Sequence, residues 1–155
     1  MVKKVLFFIV AVLLFAACSN RTVFSDYTEL DGGVWATDKS FAFNVEIEDT
    51  AASYEIDLML RNTDVFPRQN LWLKVEQEHN GHPISVDTLN IFLLDHNGKW
   101  IGKGLCSKYD NEFIWKQQVR FPEKGSYIFR FSQLMRIQVL EGIENIGIEV
   151  IKEKQ

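Results

Sequence analysis

The chain has 155 residues, of which 21 are acidic and 17 basic, for a formal charge of −4. That length holds one domain with one sizeable core. An acidic chain has no electrostatic attraction for nucleic acid or anionic headgroups, so no nucleic-acid partner is expected and membrane attachment needs another cause.

The amino terminus supplies that cause. Lys3 and Lys4 precede thirteen uninterrupted apolar residues, Val5 to Ala17. The run is too short to span a bilayer as a stable helix and has the layout of a secretory signal peptide. Ala16 and Ala17 stand directly before Cys18, an arrangement that resembles a bacterial lipobox, although Phe15 occupies a position where leucine is more usual. Residues 1–17 are therefore expected to be cleaved. Cys18 is expected to carry a diacylglycerol on its thiol and an acyl chain, such as palmitate, on its new amine. Cleavage removes two basic residues and no acidic one, which leaves 138 residues and a charge of −6. Two or more acyl chains anchor stably at about 0.8 kcal/mol per buried CH₂. No cofactor is expected beyond this covalent lipid. Lipidation would leave Cys106 without a partner in the chain, and no basic cluster near it in sequence marks a reactive thiol.

Residues 18–38 lack a clear period and are read as a lipidated tether and lead-in. Asp31-Gly32-Gly33 is a turn signal ahead of Trp35. No run of Asp or Glu follows Cys18. Such a run would resemble the surface-export signal of lipoproteins from Bacteroidetes, and its absence favours the periplasmic face of the outer membrane.

Residues 39–155 read as a β domain. Phe41, Phe43, Val45 and Ile47 alternate with polar or small residues, as do Tyr54, Ile56, Leu58 and Leu60. Alternation of this kind marks half-buried strands. Phe66-Pro67 closes the pair. Leu71, Leu73 and Val75 then alternate with Trp72, Lys74 and Glu76. Asn80-Gly81 and Asn97-Gly98 predict two tight hairpins, since both central positions of a type I′ turn need positive φ. They would join strands at Leu71–Glu78, Ile84–Leu94 and Trp100–Leu105 into a meander. Further strands are expected around Phe113–Val119, Tyr127–Phe131 and Ile146–Val150. About eight strands and no helical stripe predict an all-β fold, a two-sheet antiparallel β-sandwich, with a closed β-barrel as the runner-up.

The candidate chemistry is sparse. His79 and His82 flank a turn and His96 lies in another, and the sequence places no third ligand beside them, so no metal site is expected. No G-x-S-x-G elbow occurs, Gly102-Lys103-Gly104 is too short for a phosphate loop, and no catalytic residue is assigned. Trp72 faces away from Leu71 and Leu73, and with Trp100 it is a candidate aromatic contact for a sugar or a protein. Trp115 shares a face with Phe113 and Val119 and reads as core. The strand period fades between Gln133 and Ile143. Met135, Arg136 and Leu140 in that irregular connection are the candidate partner-docking residues.

A series of short pieces of the sequence resembles one known family. The resemblance begins with the lipobox cysteine and the Tyr27 to Trp35 lead-in. It continues through Leu60-Arg61-Asn62-Thr63, Phe66-Pro67, Asn70-Leu71 and Asp87-Thr88. It then takes in the run Gly98 to Gly104, Phe121 to Tyr127, Gln133 to Arg136 and Leu140 to Ile143. Each piece is weak alone, and their order and spacing make the match specific: the sequence resembles the GldH gliding-motility lipoproteins of Bacteroidetes. The resemblance implies a non-enzymatic outer-membrane lipoprotein that supports gliding and the type 9 secretion machinery coupled to it, with other gliding or secretion lipoproteins as partners. It brings no catalytic residues. A lipid-anchored glycan-binding module is the alternative, and a hydrolase whose site is not visible in sequence is the third. A glycan binder would present coplanar exposed aromatics, and an enzyme a concave pocket with perturbed carboxylates or histidines.

Overall fold

The computed structural model describes residues 21–154. The signal peptide and Cys18 lie outside the described residues. The ten strands are β1 (Thr22–Glu29), β2 (Val34–Ala36), β3 (Ser40–Ile47), β4 (Tyr54–Thr63), β5 (Asn70–His79), β6 (His82–Phe92), β7 (Lys108–Val119), β8 (Gly125–Gln133), β9 (Val139–Glu141) and β10 (Ile143–Lys152). One sheet has the order β1-β10-β4-β7, the other β3-β8-β5-β6, and β2 and β9 form a short ribbon. Every pairing is antiparallel. The interleaving of chain order between two four-stranded sheets is that of a jelly roll, a β-sandwich with Greek-key crossings. Both sheets stay open at their edges, so the sandwich holds and the closed barrel does not.

The core follows from the period-two pattern. Phe43, Val45 and Ile47 of β3, Ile56, Leu58 and Leu60 of β4, and Leu71, Leu73 and Val75 of β5 are all buried. Tyr127, Phe129 and Phe131 of β8 and Ile146, Ile148 and Val150 of β10 meet them. Burial of each such side chain contributes about 1.5–3 kcal/mol relative to exposure. Trp35 of β2 pairs in register with Leu140 of β9, and both are fully buried at one end of the sandwich. The Trp35 Nε1–H donates to the Lys39 carbonyl at 3.0 Å, which satisfies the one polar group of the plug.

Three expectations need correction. Residues 22–29 are not tether: they form β1, whose register runs against β10 from Thr22↔Ile151 to Glu29↔Asn145. An edge strand buries little, and Ser25, Asp26 and Tyr27 are all exposed, so the alternation that signals a strand is muted there. The domain thus begins well before residue 39. Trp100–Leu105 is not a strand. It makes only isolated bridges, Leu94↔Trp100 and Lys103↔Asp110. Its glycines serve close approach instead: a Cβ on Gly104 would fall 1.7 Å from the Lys108 carbonyl oxygen. Finally, the connection from Gln133 to Ile143 is only partly irregular, because Val139–Glu141 is β9.

The two Asn-Gly steps part company. Asn80 and Gly81 both have positive φ, 50° and 76°, and close the β5–β6 hairpin as expected. At the second step the Asp95 carboxylate accepts hydrogen bonds from the Asn97 and Lys99 amides, a local turn that starts no ladder.

Candidate functional site

The irregular segment after β8 is stitched to β5. Gln133 is buried, and its side chain works in both directions. Oε1 accepts from the Met135 amide at 2.8 Å, and Nε2 donates to the Ile137 carbonyl at 3.1 Å. The Leu134 amide donates to the Trp72 carbonyl at 2.8 Å. The Trp72 amide in turn donates to Met135 Sδ at 3.3 Å. These bonds fix a surface hollow of about 580 Å³ lined by Arg68, Asn70, Trp72, Leu134, Met135, Arg136 and Ile137. Trp72 is 41% and Leu134 45% exposed. The hollow therefore combines exposed apolar area, one indole and two guanidinium groups, a composition enriched at protein interfaces.

Trp72, expected as an aromatic contact, and Met135 and Arg136, expected as docking residues, thus meet at one place. Leu140 does not join them. It is fully buried against Trp35, so its assignment to docking is corrected to the core. Trp100 is also elsewhere: it is half-buried and stacks on Tyr109 at 5.3 Å. Trp115 packs edge-on to Phe129 and Phe131. Arg68 and Leu134 were missed. The Leu134-Met135-Arg136 run hinted at the second; nothing in sequence ties Arg68 to it.

A second feature lies on the outer face of the β1-β10-β4-β7 sheet. There Glu55, Asp57, Met59 and Arg61 of β4 stand beside Glu112 and Ile114 of β7 and Glu149 of β10. A groove of about 750 Å³ runs over this face between Tyr27 and the loop at Ile101–Lys103. Arg61 forms a forked pair with Asp110, Nε to Oδ1 at 2.6 Å and Nη2 to Oδ2 at 3.1 Å. Asp57 is only 3% exposed, and its Oδ1 has no hydrogen-bond partner among the described residues. Burial, then the charges of Glu55, Glu112 and Glu149, push its pKa up to about 6.

The histidines sit apart from both features. His79 stacks on Tyr127 at 4.2 Å, with Nδ1 3.1 Å from the Ser126 carbonyl oxygen. His82 and His96 are exposed in their turns. Cys106 is exposed in the loop before β7, with a positive φ of 54°.

The chain is 28% identical over 156 residues to the gliding motility lipoprotein GldH homolog of Christiangramia forsetii, covering 96% of this chain and 95% of that one. It is 29% identical over 147 residues to the gliding motility lipoprotein GldH of Flavobacterium johnsoniae, covering 90% of each. Among solved structures it is similar to part of the insecticidal delta-endotoxin Cry8Ea1 of Bacillus thuringiensis, with a TM-score of 0.42 at 9% identity over 78% of this chain and 19% of that one. The family model for the GldH lipoprotein matches residues 22–150, from the first residue of β1 into the last strand. By this match, which takes in nearly the whole sandwich, the chain belongs to the GldH lipoprotein family.

Proposed function

We propose that this protein is a non-enzymatic lipoprotein, held by Cys18 in the periplasmic face of the outer membrane. There it supports gliding or type 9 secretion machinery by protein–protein contact. The names of its relatives support the gliding role, and the absence of an acidic run after Cys18 supports the leaflet. The observation that carries the contact is the hollow at Trp72, Met135 and Arg136. Its two arginines favour an acidic partner surface, and its indole and thioether supply adaptable apolar area. No cofactor is needed for such a role. The test is affinity capture of tagged full-length lipoprotein from outer membranes, wild type beside Arg136→Glu. The variant should reach the outer membrane at normal abundance and lose specific envelope partners together with motility or secretion support. Unchanged partners and function would remove the hollow from the proposal.

The glycan reading is weakened by Trp100, which is committed to Tyr109 and does not share a face with Trp72. One observation favours the hydrolase reading: Asp57, with its raised pKa, lies beside Glu112 in a concave groove. Its burial works against that reading, because a general acid has to reach the leaving group. Release of reducing ends or amines from purified peptidoglycan, lost in Asp57→Asn, would establish it.

A further inference from the structure

The groove on the outer face of β4 and β7 has no role in the reading above. Its charge balance is lopsided. Arg61 and Asp110 neutralise each other as a forked pair. Glu55 already accepts a hydrogen bond from Gln117, and Glu149 one from Thr22. Asp57 and Glu112 remain in the middle of the face. Asp57 is 97% removed from solvent and keeps an oxygen that no donor among the described residues reaches. A buried acceptor left in this state costs about 1–3 kcal/mol until a donor arrives. Lys103 at the rim is the one unpaired cation among the groove's described residues.

The aromatic wall is built for close approach. Tyr27 lies across from Gly147, where a Cβ would come within 2.7 Å of the Tyr27 Cβ. Glycine there lets the ring sit tight against the sheet while staying 57% exposed. An exposed phenol ring lining the same groove as the neighbouring Asp57 and Glu112 carboxyls suits a guanidinium or an ammonium on an alkyl stem. Among the described residues no three His, Cys, Asp or Glu groups gather as a metal ion would require, so the face calls for N–H donors. Arg61 on Asp110 demonstrates the fit: the spacing between β4 and β7 already holds one guanidinium in a fork.

We propose that this groove receives a lysine or arginine side chain from an extended basic segment of another protein, with the exposed Glu112 as its direct acceptor and the charge of the buried Asp57 beneath it at the floor. The outward row from Glu55 to Arg61 spans about 20 Å at roughly 3.3 Å per residue, the reach of a six- or seven-residue peptide. The site is distinct from the Arg136 hollow, which carries the opposite charge, and stands or falls separately from it.

The experiment uses the full-length lipoprotein in detergent and three fluorescent probes. One is a dodecapeptide of alternating Lys and Ser, another its Glu-Ser counterpart, and the last chitohexaose. Anisotropy titration should show binding of the Lys-Ser peptide alone. Asp57→Asn and Glu112→Gln should each weaken it about tenfold. Glu46→Gln, which removes the same charge from β3, should leave it within twofold. An equal loss in Glu46→Gln would reduce the effect to net charge and overturn the proposal. So would binding of chitohexaose without the basic peptide. Concentration-dependent self-association that Asp57→Asn abolishes would overturn it in favour of a second copy of this chain.

Discussion

The Trp72 backbone N–H donates to Met135 Sδ at 3.3 Å, across 63 residues of chain. The β5–β8 ladder ends just before this point, at Leu73↔Gln133. A strand amide beyond the end of a ladder needs another acceptor, and the thioether provides a weak one. The bond makes the segment after β8 an extension of the sheet and sets the rim of the hollow. Met135→Leu keeps the volume and removes the acceptor. It should cost about 1 kcal/mol or less in stability and selectively speed hydrogen exchange at the Trp72 amide. Exchange at that amide equal to wild type would show that the sulfur does not hold the segment.

Leu140 and Arg136 are close in sequence and opposite in expected effect. Leu140 is fully buried against Trp35. Leu140→Ala leaves a cavity under the indole and should cost about 2–5 kcal/mol. Arg136 is exposed, so Arg136→Glu should stay within about 0.5 kcal/mol of wild type. Urea melts of the two variants check this directly. A severe loss with Arg136→Glu would make that residue part of the fold.

Cys18→Ala tests the anchor. The thiol is the only lipid acceptor that the amino-terminal motif offers. The variant should incorporate no labelled palmitate and accumulate as precursor with its signal peptide attached. An acylated, correctly localised Cys18→Ala protein would require a different attachment.

The sandwich was legible where one strand face is buried and the other wet, as in Phe41–Ile47. The expected number of long strands was right for a mixed reason. Trp100–Leu105 reads as a strand and is not one, whereas β1 reads as tether and is a full edge strand. Spaced glycines around an aromatic imitate alternation, and an edge strand with two wet faces hides it. The hollow was half legible. The chemistry of Trp72, Met135 and Arg136 could be read residue by residue, but their meeting depends on a ladder between distant strands. Leu140 was misplaced because its pairing with Trp35 closes a ribbon of only three residues per strand. The groove was illegible. Asp57 looks like any outward carboxylate of an alternating strand until β7 and β10 bring Glu112 and Glu149 beside it.

That carboxylate gives the protein a specific dependence on pH. In the unfolded chain Asp57 titrates near 3.8, and in the fold burial and the neighbouring Glu55, Glu112 and Glu149 raise its pKa to about 6. Between these values the native state holds a proton that the unfolded chain has released. Stability from this group therefore falls as pH rises through that window, and the penalty is complete above the folded pKa. At about 1.4 kcal/mol per pKa unit, the full penalty is on the order of 3 kcal/mol. Asp57→Asn keeps the shape and removes the charge. It should stabilise the protein by roughly 1–3 kcal/mol at pH 8 and by nearly nothing at pH 4, where the wild-type carboxyl is already neutral. Glu112→Gln should move stability in the same direction by less, since it relieves one neighbouring charge and leaves the burial. Denaturant melts of wild type and both variants from pH 4 to pH 8 give the difference directly, because effects of carboxylates that do not interact with Asp57 cancel in it. A stabilisation that does not change with pH, or an Asp57→Asn protein weaker than wild type at pH 8, would mean that the buried carboxylate is satisfied in the folded protein and that the groove has no acceptor to spare.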